Sequence, residues 1–478
     1  MICQLNRYPA YRDSGLPWLG SVPAHWALRR AKCFFREVDE RSTTGDEELL
    51  SVSHLTGVTS RREKNVTMFL AESNVGHKRC QPHDLVINTM WAWMAALGVS
   101  GQTGLVSPSY GVYRPLQSSP VLPAYANRLL RTTAYAAEFT CRSTGVNSSR
   151  LRLYPEEFLR IPILCPPPTE QTAIVRFLDH VDQKVRRHVR AKRRLLSLLT
   201  EQRQAIIHGL VTGGLDDAGL REPTGDPWFP VLPLRWQVLP LRRVIRSAID
   251  GPHFSPAYVD DGVPFLSARN VKADRWSLAD MKYISRDDCD EFCRRVRPER
   301  GDVLYTKGGT TGIARAVDLD FPFQVWVHIA VLKPEGSRVV PEYLAAALNT
   351  PRCYEQSQLL TRGATNQDLG LGRMKAIVLP VPPLREQDAI ARRAQDVSDY
   401  SCRAMVSVRR DIDLVHELHT RLVADVVTGK LDVRDAAAQL PNEIDEELAL
   451  DDLESLVEDE ESGEGPSETP LEEVGDEP

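Results

Sequence analysis

Long apolar runs are missing from this chain of 478 residues. No stretch of eighteen apolar residues occurs, so the sequence predicts no membrane span. Met1 to Arg12 are polar and aromatic, without the apolar core of a secretory signal. Cysteine is sparse: nine residues, scattered, with Cys289 and Cys293 the closest pair. No His/Cys cluster answers that pair at metal-ligand spacing, so the thiols read as reduced, the location as cytoplasmic, and no metal is expected. Compact catalytic signatures are also missing. There is no Gly-x-x-x-x-Gly-Lys-[Ser/Thr], no His-Glu-x-x-His and no Gly-x-Ser-x-Gly. The glycine pairs at Gly213 and Gly308 do not sit between a strand and a helix as a dinucleotide fingerprint requires. Binding is favoured over chemistry.

Lysine is scarce beside arginine, 11 against 48. Arginine's planar fork suits phosphates and guanine edges, although coding-sequence composition alone can produce the same excess. Basic residues are absent from Asn442 to Pro478, where seventeen are Asp or Glu. The net charge of −6 therefore conceals a basic body, with 59 basic against 48 acidic residues over Met1–Pro441.

What is present is a repeat. Pro167-Pro168-Thr169-Glu170-Gln171-Thr172-Ala173-Ile174 returns as Pro383-Leu384-Arg385-Glu386-Gln387-Asp388-Ala389-Ile390. Each copy opens a long run without Pro, and without Gly until its last turns. The runs close alike, at Val211-Thr212-Gly213 and Val427-Thr428-Gly429, and the offset at both ends is 216. Ile174, Leu178, Val181, Val185, Val189, Leu195, Leu199 and Ile206 follow helical spacing in the first run. Ile390, Ala394, Val397, Ala404, Val408, Val415, Leu418 and Leu422 do so in the second. The prolines before and the glycine after set the ends. Such helices are roughly 60 Å long, too long for one small core, and their narrow stripes predict pairing with each other.

The segments before the helices repeat more weakly. Trp18, Pro23 and Trp26 match Trp228, Pro233 and Trp236. Asp84-Leu85-Val86 matches Asp302-Val303-Leu304, and Tyr113-Arg114-Pro115 matches Leu332-Lys333-Pro334. Strand and turn signals dominate, which predicts a mixed α/β (α+β) globule in each copy. The expected organisation is a first globular domain over 1–168, a helix over 169–213 and a linker over 214–226. A second globular domain follows over 227–382, a helix over 383–430 and an acidic, disordered tail over 431–478.

This order resembles the specificity subunit of Type I restriction–modification systems. The opening Tyr8-Pro9-Ala10-Tyr11-Arg12-Asp13-Ser14-Gly15 with Pro23-Ala24-His25-Trp26 is similar to that family's usual start. So are the Glu-Gln motifs that open both helices and the Val-Thr-Gly-x-Leu-Asp that closes them. Asn88-Thr89-Met90-Trp91-Ala92-Trp93 with Val106 to Tyr110 resembles one subtype of recognition domain. Asp250-Gly251-Pro252-His253 with Pro264 to Asn270 resembles another. The acidic tail and Leu384 depart from the pattern.

The resemblance implies two target-recognition domains alternating with two antiparallel spacer helices in a pseudo-two-fold repeat. It implies a non-catalytic DNA reader in which each domain reads half of a split, asymmetric target. Modification subunits, two copies expected, dock on the helices and methylate adenine with S-adenosylmethionine. Restriction subunits that use ATP and Mg join in some systems. This chain itself binds no cofactor. It lacks the Asn-Pro-Pro-[Tyr/Phe] expected of an amino-methyltransferase. A two-headed protein-binding scaffold is the alternative.

Base readout needs paired donors and acceptors, and phosphate contact needs positive charge. The candidates in the first globule are Arg61, Arg62 and Lys64, a basic cluster, with Ser109, Tyr110, Arg142, Asn147, Ser148 and Arg150 in polar turns. Trp91 and Trp93, read as a strand, share one face, as aromatic core or as a DNA-facing wedge. In the second globule Lys307 to Gly312 reads as a flexible loop whose Lys307, Thr310 and Thr311 approach phosphate, the alternative being a plain hairpin with turn glycines. Arg269, Asn270 and Lys272 end an apolar strand, and Arg362, Thr365, Asn366 and Gln367 carry the groups that pair with guanine and adenine. His253 reads equally as a DNA contact or a structural histidine. The basic run from Lys184 to Arg194 reads as a solvated or docking face, or as a track for phosphates. The acidic tail is a solubilising end or a competitor for the basic surface.

Overall fold

The computed structural model describes residues 5–63, 73–145, 151–215, 219–254, 256–363 and 367–441. The chain divides into two compact units, one of Met1–Val189 with Asp413–Pro478 and the other of Arg190–Ile412. Both long helices form, over Pro168–Gly213 and Leu384–Val427. Each unit therefore holds one globule and part of both helices, a division that cuts across the linear order of domains.

Unit 1 is built on a four-stranded antiparallel sheet in the order Phe35–Glu37, Gly111–Pro115, Leu85–Ile87, Leu97–Val99. Unit 2 repeats it as Ile245–Asp250, Ile329–Pro334, Val303–Thr306, Ala314–Ala316. Register is kept: Leu85 pairs with Tyr113, and Val303 with Leu332. The same buried acid fixes each sheet. Arg114 donates from Nε and Nη2 to Asp84 at 3.0 Å each, and Lys333 donates from Nζ to Asp302 at 2.7 Å. These are the residues that the weak sequence repeat aligns.

Both faces of each sheet are covered, which explains apolar runs without alternation. In unit 1 Leu85, Ile87 and Tyr113 pack with Tyr125, Leu129 and Phe139 of the helices Pro123–Leu130 and Thr133–Arg142. In unit 2 Val303, Tyr305 and Leu332 pack with Tyr343 and Leu344 of the helix Pro341–Leu348. The opposite faces meet residues that do not repeat. Val86 and Val112 face Leu50, Val52 and Cys80, whereas Leu304 and Val331 face Leu266, Val296 and Val325. The insertion in unit 1 forms a hairpin, Leu50–Ser53 with Gly57–Ser60, and a second antiparallel pair, Lys78–Cys80 with Gly104–Val106, whose strands flank two strands of the main sheet in the chain. That in unit 2 contributes a second sheet of Tyr258–Val259, Lys282–Ile284, Val263–Leu266 and Gln324–Val325, and the helix Arg286–Cys293.

The repeated Glu-Gln motif joins globule to helix. Glu170 accepts from Trp26 Nε1 at 2.9 Å, and Glu386 from Trp236 Nε1 at 2.8 Å. Gln171 accepts from Leu122 N at 2.7 Å and donates to the Pro120 and Pro166 carbonyls at 2.9 and 2.8 Å. Gln387 repeats this with Val340 N, Arg338 O and Pro382 O at 2.8, 2.9 and 2.8 Å. A positive-φ glycine follows each helix, one position later along the repeat in the first copy than in the second. Gly214 and Gly429 adopt positive φ, +80° and +78°. A Cβ on Gly429 would lie 2.5 Å from Pro23 Cδ, so glycine is required by backbone and neighbour together.

Within each unit the two helices run antiparallel. In unit 1 His419 Nε2 meets Asp182 Oδ1 at 2.6 Å. In unit 2 Lys192 pairs with Asp411 at 3.0 Å and Thr200 Oγ1 meets Met405 Sδ at 3.6 Å. The expected stripe is displaced in places. Leu195, Ile206 and Leu418 are exposed, whereas Ser401 and Met405 are buried. A straight helix drifts about 20° per heptad from a fixed seam, so one stripe does not hold over about twelve turns.

Three expectations are corrected. The linker over 214–226 contains a strand, Arg221–Pro223, which pairs with Val231–Pro233 as Tyr11–Asp13 pairs with Ser21–Pro23. The tail does not begin at 431: Val433, Ala437 and Leu440 are buried in the core of unit 1, Asp432 bridges Asn6, and Arg434–Ala438 is helical. Residues 442–478 lie outside the described residues. Trp91 and Trp93 are not on a strand. They flank Ala92 in a 3-10 turn, Ala92–Met94, with the small residue inward and both indoles half-buried.

Candidate nucleic-acid interface

Among the described candidate residues, Ser109 and Tyr110 in unit 1 and Lys307, Thr310, Thr311, Arg362 and Gln367 in unit 2 gather at one end of the sheet. In unit 1 that end carries Ile87 and Gly111, which pair. The turn from Asn88 and the segment Ser107–Tyr110 meet there: Asn88 Nδ2 donates to the Tyr110 hydroxyl at 3.1 Å, and Thr89 Oγ1 to Ser109 O at 2.8 Å. Leu153 N donates to Thr89 O at 2.9 Å, which draws in the loop after the helix ending at Arg142. Ser109 is exposed and Tyr110 half-buried. Burial raises the Tyr110 pKa, against the Arg61 charge and the Asn88 hydrogen bond, so the hydroxyl stays a donor. Arg61 and Arg62 begin a 3-10 turn, Arg61–Glu63, that ends the hairpin, and Arg62 is exposed. Arg142 is held by Glu138 and Glu157 on the helices behind the loop. Lys64, Asn147, Ser148 and Arg150 lie outside the described residues.

In unit 2 the same end carries Asp250, Thr306 and Ile329. Lys307–Gly312 follows Thr306, and the loop from Arg362 folds against it: Leu369 N donates to Lys307 O at 2.8 Å and Gly309 N to Gln367 O at 3.3 Å. This mirrors Leu153 and Thr89 in unit 1. The loop is not the flexible one expected. Gly312 N and Ile313 N close back on Thr306 O and Oγ1 at 2.9 Å each, which makes a hairpin turn. Gly308 approaches His328 so closely that a Cβ would lie 2.0 Å from Nδ1.

The candidate residues here fall into two groups. Thr310, Arg362 and Gln367 are exposed on the rim. Lys307 and Thr311 are buried, contrary to expectation. The Lys307 ammonium sits between Asp250 and Asp368, at 3.3 and 3.2 Å, and the Thr311 hydroxyl accepts from Gln358 at 3.2 Å. Thr365 and Asn366 lie outside the described residues.

Arg269, Asn270 and Lys272 lie on the insertion. Asn270 is buried and its amide is consumed locally, accepting from Ser267 N at 2.7 Å and donating to Ser277 O at 2.8 Å. It shapes the loop that exposes Arg269 and Lys272. Asp274, just beyond, pairs with Arg203 of the first long helix at 3.0 Å. Sequence reasoning missed Asp250 and Arg295. Asp250 opens the Asp-Gly-Pro-His motif, but its partner Arg295 is 45 positions away, and no local signal joins them.

Among the described residues no group of three His, Cys, Asp or Glu side chains could hold a metal ion. No helix among them is long and apolar enough to cross a membrane.

Residues 258–402 match the family model of the Type I restriction modification DNA specificity domain. The matched stretch falls within unit 2. The chain is 22% identical over 368 residues to the Type I restriction enzyme EcoKI specificity subunit of Escherichia coli strain K12, covering 74% of this chain and 76% of that one. It is 23% identical over 273 residues to the EcoBI specificity subunit of Escherichia coli, covering 56% of this chain. It spans 57% of the length of that relative. A solved chain from a study of complex assembly and conformational transition of the type I R-M system shares the fold. The TM-score is 0.62 and the identity 17%, over 86% of this chain and 99% of that one.

Proposed function

We infer that this chain is the DNA specificity subunit of a Type I restriction–modification complex. One observation carries the reading beyond the domain match: a single scaffold occurs twice, with matching Trp–Glu and Gln joints to the long helices, and bears unlike insertions over one sheet face. Two copies of one frame with unlike surfaces suit two different half-targets.

The geometry supports assigning the rim loops of each sheet end to DNA. Exposed Arg62, Ser109, Thr310, Arg362 and Gln367 offer the donors and acceptors that base edges and phosphates require. The buried groups beneath them, such as Lys307, hold the loops in place. In this reading the chain is non-catalytic. S-adenosylmethionine, ATP and Mg act on partner subunits, two modification subunits dock on the helices, and the helices act as the spacer between half-sites.

The test is footprinting of the full chain with its modification subunits on target DNA, with methylation mapping in a methylation-free host. Two protected patches around an unread gap are expected, with a bipartite methylated motif. Absence of any protected patch or methylated motif sinks the reading.

A further inference from the structure

The ion network beneath the sheet end of unit 2 holds one member that the scaffold does not need. Asp250 is buried, and both its oxygens are engaged by bases. Lys307 is enclosed with it, yet Arg295 is half exposed, with 48% of its side chain accessible. The Arg295 guanidinium is nonetheless fixed. Its Nε donates to the Asp250 carbonyl at 2.9 Å, and its Nη2 to the Asp250 carboxylate. His253 Nε2 lies 3.4 Å from the same Nη2.

Beside it Phe254 is exposed and stacks edge-on against Phe292, with centroids 5.3 Å apart. Gly251 backs onto the Val325 carbonyl so tightly that a Cβ would lie 2.0 Å from its oxygen, which anchors the turn. Burial works to raise the Asp250 pKa, but the hydrogen bonds and charges of Arg295 and Lys307 outweigh it, and the carboxylate stays ionised.

With Nε and one hydrogen of Nη2 spent on Asp250, the end edge of the guanidinium carries one N–H from each Nη, and the exposed His253, whose Nε2 lies 3.4 Å from Nη2, is the partner a base would displace from it. That edge is the fork that matches the O6 and N7 acceptors of guanine. A phosphate contact asks for net charge and tolerates a mobile side chain. Here the charge is partly offset, because Asp250 and Asp368 stand against Arg295, Lys307 and Arg373, while the orientation is fixed. A partly offset but oriented fork is suited to a contact that depends on geometry.

We propose that Arg295 reads a guanine in the half-target of unit 2, with Asp250 as its positioning residue. The proposal rests on the reading of this chain as a DNA specificity subunit. It makes the insertion the source of at least one base contact, and it names a residue that sequence motifs do not reveal.

The experiment uses the full chain with its modification subunits, with methylation mapped for wild type, Arg295→Ala, Arg295→Lys and Asp250→Asn. Arg295→Lys keeps the charge and the pairing with Asp250 but loses the fork. One guanine position in one half-site is expected to relax in both Arg295 variants, with discrimination there falling about ten-fold or more. Asp250→Asn should relax the same position. All other positions should stay as in wild type. An unchanged motif in Arg295→Ala overturns the proposal. So does a uniform loss of affinity that Arg295→Lys restores, because that marks a phosphate contact. If wild type itself yields no methylated motif, the specificity-subunit reading fails, whatever the Arg295 variants do.

Discussion

Gln171 and Gln387 show how one side chain can carry a joint. Each is wholly buried at the start of a long helix, and each satisfies one backbone N–H and two carbonyls that have left regular structure. Buried backbone groups without partners are costly, so the residue has to span three of them at once. Gln171→Ala orphans all three and should destabilise unit 1 by about 3 kcal/mol, read from urea unfolding. A loss below about 1 kcal/mol would mean that water replaces the amide and the joint lies elsewhere. Asp182 shows a charged counterpart. Burial works to raise its pKa, but the hydrogen bond with His419 and the charge of Arg128 outweigh it and hold it below the ordinary 3.8. A carboxylate depressed on folding contributes stability above its unfolded pKa and loses it as pH falls through the folded value. Unit 1 is therefore expected to weaken as pH drops below about 4, and Asp182→Asn should flatten that fall. Parallel pH curves for the variant and wild type would show that other carboxylates govern acid unfolding.

The long helices are elements whose ends follow from their sequence better than their faces do. Val408 is buried while Val406, two positions before it, is 62% exposed. Val408→Ala is thus expected to cost about 1.5 kcal/mol, and Val406→Ala less than about 0.5, in urea unfolding of the full chain. Equal costs would place another surface over Val406 in the isolated protein. The ends are readable because Pro-x-x-Glu-Gln and the glycines after the final threonine act locally, through caps and φ values. The faces are less so, because Met405 and Ser401 are buried only by what the partner helix presents. The same distinction runs through the globules. Asp84 and Asp302 align in sequence because a shared frame demands the same ion pair. Asn270 and Lys307 look like exposed recognition groups in the sequence, since polar type alone does not report burial. Trp91 and Trp93 read wrongly as a strand because strand alternation and the turn of a 3-10 helix look alike over three residues.

For the whole molecule, the telling fact is where the units divide. The boundary falls at Val189/Arg190 in one helix and Ile412/Asp413 in the other, so each unit keeps its own globule and its own stretch of helix pair. The joints at Glu170 with Trp26 and Glu386 with Trp236 each lie within one unit. Four residues inserted in both helices at that boundary, about one turn, leave both globules and both joints intact. Pairing is also preserved, because both partners lengthen together. If the helices are the spacer between two readers, the variant should protect and methylate the same two half-sites with a longer unread gap. Methylation mapping of wild type and variant in one host reads this directly. A change in half-site sequence with the gap unaltered would show that the helices do not set the spacing, and that recognition depends on the boundary itself. A single insertion in only one helix makes the complementary case. It breaks the register between the helices, as at Lys192 with Asp411, and should lower stability before it changes the gap.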